Sequence, residues 1–147
     1  MVDIIELSKQ IAIAGQPTFE QLQDLGSSQF QSVMNLRSPQ EDGFLAEEQQ
    51  LLETQGLSYL NTGVKPDALT ETKITELLQE LKELPKPALV HCGSALRAAF
   101  ISLIYLVTQQ GMPLETAQKK VQELGLDFDA APPLARWFQA YLFQQLD

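Results

Sequence analysis

The segment Ala88–Arg97, which reads ALVHCGSALR, constrains the fold of this chain more than any other stretch. A short apolar run ends in His91 and Cys92, and Arg97 follows after four further residues. Residues 98–107 are apolar on nearly every face of a helix, which predicts a buried helix. The segment therefore predicts a central strand, a tight loop and a core helix, with a thiol and a guanidinium at the junction.

Strand-like and helix-like segments alternate along the chain. Strands are predicted at residues 10–14, 31–36, 57–62 and 87–91, and helices at about 18–26, 44–55, 70–84 and 95–110. The order predicts an α/β fold, a three-layer α/β/α arrangement on a mostly parallel four-stranded sheet. We expect one domain over residues 1–147, in which residues 111–147 add C-terminal helices.

The formal net charge of −9 narrows the set of partners. It argues against nucleic acid, whose binding depends on basic contacts to phosphates, and against an anionic membrane surface. The apolar stretch 98–107 is too short to span a bilayer, and the N-terminus does not resemble a signal peptide. We therefore expect a cytoplasmic protein, whose oligomeric state the sequence leaves open.

The junction after the strand has the groups that a tetrahedral oxyanion needs. Cys92 is the only cysteine, so it makes no internal disulfide. The loop amides, the positive end of the following helix and Arg97 would all favour a thiolate and would hold the oxygens of a bound phosphate or sulfate. The alternative is a small, buried, unreactive cysteine. His91, the only histidine, is expected to orient the loop by a hydrogen bond, and no Cys/His cluster predicts a metal.

A thiolate mechanism also needs an acid to protonate the leaving oxygen. Asp67, in the loop after the third strand, is the first candidate, although it could be an ordinary loop aspartate. Glu41 and Asp42, after the second strand, are alternatives, but Ser38–Glu41 also fits a helix capping box.

Two other charged positions need an interpretation. Arg37, at the end of the second strand, could add a second positive charge at the mouth of the site or pair with a surface carboxylate. Glu47 and Glu48 read most simply as the solvated side of a helix.

Three segments together resemble a known family: AGQPT at 14–18, VMNLR at 33–37 and HCGSALR at 91–97. The chain resembles the protein-tyrosine-phosphatase superfamily, and more narrowly the small bacterial dual-specificity-phosphatase-like domains, also called beta-lactamase-hydrolase-like phosphatase or DUF442-type domains. The resemblance covers roughly residues 10–110.

The resemblance implies attack of Cys92 on a phosphomonoester, through a cysteinyl-phosphate, without metal or cofactor. Arg97 would hold the phosphoryl oxygens, Asp67 would be the acid, and the substrate would be a phosphorylated protein or a small-molecule phosphoester. It also implies that the fourth predicted strand lies between the first two, with the third at the edge. The predicted substrate-binding residues are His91, Gly93, Ser94, Ala95, Leu96 and Arg37.

The loop departs from the family pattern at two positions. Ala95 stands where relatives have glycine, and Ala98 stands where they have a hydroxyl that binds the thiolate; Ser94 is the nearest remaining hydroxyl. Two alternatives therefore stay open. One is a rhodanese-like sulfurtransferase that carries a persulfide on Cys92, and the other is a non-catalytic module that binds phosphate or another anion.

Overall fold

The computed structural model describes the backbone of residues 2–144 and the side chains of residues 2–141. Over that range, five strands form one sheet in the order β1-β2-β5-β3-β4. The strands are β1 Ile5–Glu6, β2 Ile11–Ala14, β3 Ser32–Asn35, β4 Ser58–Asn61 and β5 Ala88–His91. The four longer strands are parallel, and β5 lies between β2 and β3 with β4 at the edge, as expected.

The sheet has one strand more than predicted. β1 pairs antiparallel with β2 through only two residues, Ile5 and Glu6. A pairing this short shows no period-two alternation of apolar residues, so the sequence pattern does not reveal it.

The described range contains six helices. They are α1 Phe19–Asp24, α2 Glu48–Thr54, α3 Glu71–Glu83, α4 Leu96–Gln109, α5 Leu114–Glu123 and α6 Pro132–Gln144. Thr18 and Gln21 form a capping box at the start of α1, and Thr70 caps α3. These contacts satisfy amide groups that have no partner inside their own helices.

Helix α2 begins at Glu48, later than the predicted start at Phe44. Residues 38–47 form turns instead, and Gly43 adopts a φ of +87°. The Glu41 side chain accepts from the Ser38 amide at 2.7 Å, but the Ser38 hydroxyl makes no return contact, so only half of the predicted capping box is present. No helix begins at Ser38–Glu41, and the next one along the chain is α2.

Alternation along the strands divides the core into two layers. Ile11, Ile13 and Val90 face a cluster that includes residues of α3, α4, α5 and α6. Ala12 and Leu89 face a second cluster, against α1 and α2. Residues 98–106 of α4 are all buried, which confirms the prediction of a core helix. No helix in residues 2–144 combines the length and apolar character needed to cross a bilayer.

The register brings three strand ends to one level. His91 is aligned with Ala14 of β2 and with Asn35 of β3. The segments that leave these strands, which contain Gly15, Arg37 and Cys92, therefore meet beyond the carboxyl edge of the sheet, where ligands bind in open α/β folds.

The amino-terminal residues are fastened at the start of α1. The Val2 amide donates to the Gln21 side chain at 3.2 Å, and Gln21 donates to the Val2 carbonyl at 2.6 Å. A methyl group placed on Gly15 would lie 3.8 Å from the Val2 side chain.

Candidate active site

The loop between β5 and α4 leaves a row of amide groups free. Cys92 is fully buried, and its own amide donates to the Ala14 carbonyl at 3.2 Å. Within residues 2–144, the amides of 93–98 donate to no backbone carbonyl. Because such donors at a helix start favour negative charge, the loop has the groups needed to bind an oxyanion.

Ala95 takes up the bend at the start of α4. It has a φ of 73°, the left-handed conformation that disfavours residues with a side chain, and it offers α4 no side-chain cap. Among residues 2–144 it is the one non-glycine residue with positive φ. The departure from glycine noted in the sequence therefore falls on a position where glycine would relieve strain.

Gly15 allows β2 to pass close to the same loop. A methyl group at Gly15 would lie 2.9 Å from the Gly93 carbonyl oxygen, which is too close for any side chain without a shift of the backbone. This contact is a physical reason for the glycine in AGQPT.

Two guanidinium groups meet over Gly93. A methyl group built on Gly93 would lie 3.6 Å from Arg97 Nη2 and 3.9 Å from Arg37 Nε. Arg37 is only 8% exposed, and its Nε has no hydrogen-bond partner among the described residues. Arg37 is therefore a largely buried charge beside the loop, and the carboxylate that it approaches belongs to the partly exposed Glu41.

Glu41 joins the two arginines. Arg97 Nη1 and Nη2 donate to its two carboxylate oxygens, each at 2.9 Å, and Arg37 Nε lies 3.6 Å away. The hydrogen bond from Arg97 is the main reason that the pKa of Glu41 falls to about 2. Because Arg97 occupies both carboxylate oxygens and favours the ionised form, Glu41 is poorly suited to hand a proton to a leaving oxygen.

Arg97 is held in place from several directions. It also donates to the carbonyls of Val64, at 2.9 Å, and Leu36, at 3.3 Å. Burial by itself would lower the pKa of Arg97, but the contacts with Glu41 and Cys92 outweigh burial and raise it. The guanidinium therefore stays charged and has a fixed orientation beside the thiol.

His91 lies on the opposite face of the sheet from the core that contains Cys92. Its Nε2 is 2.5 Å from a carboxylate oxygen of Glu48, and both side chains are buried. The expectation that His91 orients the loop fits this contact, whereas direct contact of its imidazole with substrate does not, because the ring is covered by α2. The interpretation of Glu48 as a solvated residue is wrong, since it is 1% exposed; Glu47 is exposed.

The remaining predicted site residues lie at the periphery of this arrangement. Asp67 is exposed on a short 3-10 turn, Pro66–Ala68, three residues after the Val64 carbonyl that binds Arg97. Asp42 is exposed, and its carbonyl accepts from Arg37. Ser94 is exposed in the loop, and Leu96 is the first residue of α4.

The structure thus gathers the cysteine loop, Arg37 and Arg97, and it adds two acidic partners whose pairing the sequence did not indicate. Glu41 binds a residue 56 positions away, and Glu48 binds one 43 positions away. Pairs so distant leave no local pattern. The one local signal for Glu48 is that it lies on the same face of α2 as the buried Leu52, where a carboxylate is unusual.

Comparison with known proteins gives distant relatives for the sequence and similar structures for the fold. No protein-family model matches the chain. Beta-lactamase hydrolase-like proteins from two strains of Xylella fastidiosa are 26% identical over 132 residues, which cover 87% of this chain. The chain spans only 30% of the length of these curated relatives.

Solved structures share the fold at low sequence identity. The DUF442 protein of Shewanella putrefaciens CN-32 has a TM-score of 0.76 at 19% identity, covering 94% of this chain and 87% of that one. TpbA of P. aeruginosa has a TM-score of 0.73 at 17% identity (95% and 84%), and the catalytic domain of the S. cerevisiae phosphatase SIW14 has 0.73 at 16% (92% and 83%). The resemblance indicated by the sequence is confirmed: this chain has the fold of the protein-tyrosine-phosphatase-like phosphatases.

Proposed function

We propose that this chain hydrolyses phosphomonoesters with Cys92 as the nucleophile. The free amides of 93–98, with Arg97 and Arg37 above Gly93, are the observation that carries the proposal. They offer a dense set of hydrogen-bond donors to one tetrahedral anion and favour the thiolate by the same charges.

The reaction would proceed in two displacements. The Cys92 thiolate attacks phosphorus, an S–P bond forms, and the bond to the leaving oxygen breaks as that oxygen takes a proton from Asp67. Water then attacks the cysteinyl-phosphate, gives a proton back to the Asp67 carboxylate and releases inorganic phosphate and the thiolate. Arg97 would bind the phosphoryl oxygens throughout, because Glu41 fixes its orientation.

The substrate class follows from this chemistry and from the relatives. TpbA has been crystallised with pTyr, and SIW14, a PP-IP phosphatase, with citrate. A phosphorylated protein or a small-molecule phosphoester would fit the proposed loop in the same way.

Hydrolysis of p-nitrophenyl phosphate tests the proposal. We expect turnover by the natural chain and a loss of about a thousandfold or more in Cys92→Ser, with binding of inorganic phosphate retained. Asp67→Asn should lower turnover by about a hundredfold, whereas the matched change Asp42→Asn should leave it nearly unchanged. The reverse result for the two aspartates would move the acid to Asp42.

A binding-only module is the second candidate, and Ala98 is the observation that favours it. Ala98 is fully buried at the position where the family resemblance expects a hydroxyl next to the thiolate. Phosphate binding without turnover on aryl, alkyl or peptide phosphoesters would establish this alternative in place of the enzyme.

The rhodanese-like alternative makes a different prediction. It requires transfer of sulfur from thiosulfate to cyanide through a persulfide on Cys92. The similarity to phosphatase structures supports hydrolysis instead, so we expect no transfer above the level of Cys92→Ser. Thiocyanate formation that depends on Cys92 would overturn the hydrolase proposal.

A further inference from the structure

A chain of buried and partly buried polar side chains runs behind the cysteine loop. Glu48, the first residue of α2, has one carboxylate oxygen 2.5 Å from His91 Nε2, and its other oxygen accepts from Gln16 Nε2 at 3.0 Å. Gln16 in turn accepts from Arg37 Nη1 at 3.1 Å. One carboxylate is therefore linked to the residue that precedes Cys92 and to the arginine above Gly93.

The burial of Glu48 needs a reason beyond helix structure. It is 1% exposed on a seven-residue helix whose one other acidic side chain, Glu53, lies at the surface. A buried carboxylate is unfavourable unless it is paired and hydrogen-bonded, and replacement by an apolar residue of similar size would remove that requirement. The two partners of Glu48 are His91, which precedes Cys92, and Gln16, which contacts Arg37.

The imidazole of His91 has an unusual arrangement. Nε2 contacts Glu48, whereas Nδ1 is buried with no partner among the described residues. A protonated Nδ1 would be a buried donor without an acceptor, so the contact favours one tautomer, with the proton at Nε2. Glu48 thus determines both the position of the ring and the location of its proton.

We propose that Glu48 is a positioning residue that fixes His91 on one side of the cysteine loop and, through Gln16, fixes Arg37 on the other. This inference deepens the proposed function, since it concerns the same site. The charged or titratable groups that face the pair are Tyr59 of β4, which the charge of Glu48 influences, and Arg37 after β3, which is reached through Gln16. Cys92 after β5 faces the other side of the sheet.

The test uses the single histidine as a reporter. Nitrogen-15 NMR of the His91 imidazole should show the Nε2-H tautomer in the natural chain and a changed tautomer balance in Glu48→Gln, because an amide can accept or donate at this contact. Inorganic phosphate should bind about tenfold more weakly to Glu48→Gln, and alkylation of Cys92 by iodoacetamide should change in rate. Glu47→Gln removes the same charge from the exposed neighbouring position and should change none of these values.

A second variant separates the contact of Glu48 with His91 from its link to Arg37 through Gln16. Gln16→Ala breaks the link to Arg37 but leaves the contact between Glu48 and His91, so it should weaken phosphate binding by about threefold while the His91 spectrum stays as in the natural chain. It also keeps the test valid if Glu48→Gln fails to fold, which thermal unfolding would reveal.

The outcomes can be distinguished from failure of the proposed function. Unchanged His91 spectra and unchanged alkylation in a folded Glu48→Gln variant would overturn the positioning role. A Gln16→Ala variant that binds phosphate like the natural chain would overturn the link to Arg37. Absence of phosphoester turnover in every variant would count against the hydrolase alone, since the spectra and the alkylation rate do not depend on turnover.

Discussion

Helices α3 and α4 begin in opposite ways. The hydroxyl of Thr70 accepts from the Lys73 amide at 3.1 Å, so a side chain at the N-cap pairs with one of the amides in the first turn of α3. At the start of α4, Ala95 is left-handed and provides no side-chain cap. The start of α3 stabilises its helix. The start of α4 is locally less stable, and its amide donors remain available to a ligand.

The largest expected contrast between the two starts comes from the cations in their first turns. Arg97→Met should weaken inorganic phosphate binding about a hundredfold, close to 2.7 kcal/mol, because the two-pronged donor is lost. Lys73→Met, in the first turn of α3, should leave the affinity unchanged. Isothermal titration calorimetry measures both.

The Arg97 variant also leaves a carboxylate without its partner. Arg97→Met combined with Glu41→Gln removes that unpaired charge and should recover stability but not affinity. Recovery of phosphate affinity in the double variant would show that Glu41, rather than Arg97, governs binding at α4.

Acid should weaken the start of α4 through Glu41. The pKa of Glu41 is lowered to about 2 from 4.5, so its ionised form stabilises the folded state above pH 4.5, and that contribution is lost as the pH falls through about 2. At neutral pH, Glu41→Gln should lower the free energy of unfolding by about 1–2 kcal/mol, and its difference from the natural chain should shrink between pH 4.5 and 2.

Urea unfolding at a series of pH values measures this difference. Glu47→Gln, an exposed residue, is the control and should give a nearly constant, small difference. A gap between the natural chain and Glu41→Gln that widens on acidification would contradict the ion pair with Arg97.

Removal of the cap at α3 should affect stability alone. Thr70→Ala should lower the free energy of unfolding by about 1 kcal/mol, as expected for loss of an N-cap, and should leave phosphate affinity unchanged. Urea unfolding and calorimetry on the same preparation test both parts. A fall in affinity would mean that the two helix starts are not independent.

The smallest expected effect is a gain of stability at the other start. Ala95→Gly should raise the free energy of unfolding by about 0.5–1 kcal/mol, because glycine adopts positive φ without steric strain. Ala99→Gly, one turn later in a regular part of α4, should lower it by about 1 kcal/mol or more. If urea unfolding showed that both substitutions lower the free energy of unfolding, or that both raise it, the strain at Ala95 would be contradicted.

The sequence predicts the elements that repeat a local pattern. The four parallel strands follow from short apolar runs, the buried helix α4 follows from its continuous apolar segment, and the order of the sheet follows from the family resemblance. The exception is β1, where two paired residues provide too little pattern to detect.

The candidate site could be predicted only in part. Cys92 and Arg97 are close in sequence, so their spacing across a strand–helix junction is informative. Glu41, the partner of Arg97, and Glu48, the partner of His91, are distant from those residues in sequence. Both pairs became apparent only once the chain was folded. The role of Asp67 remains a prediction, because it depends on a substrate that would lie between the loop after β4 and Cys92.

The close approach of Gly15 to the cysteine loop has a practical consequence for protein production. Val2, Gly15 and Gly93 are near one another, so a peptide fused to the amino terminus would start beside the loop. We expect an uncleaved fusion to lower phosphate affinity, because Val2 lies on the Gly15 side of the loop. Affinity tags for kinetic work should therefore be cleaved, and a comparison of cleaved with uncleaved protein would reveal how much room a substrate has on that side.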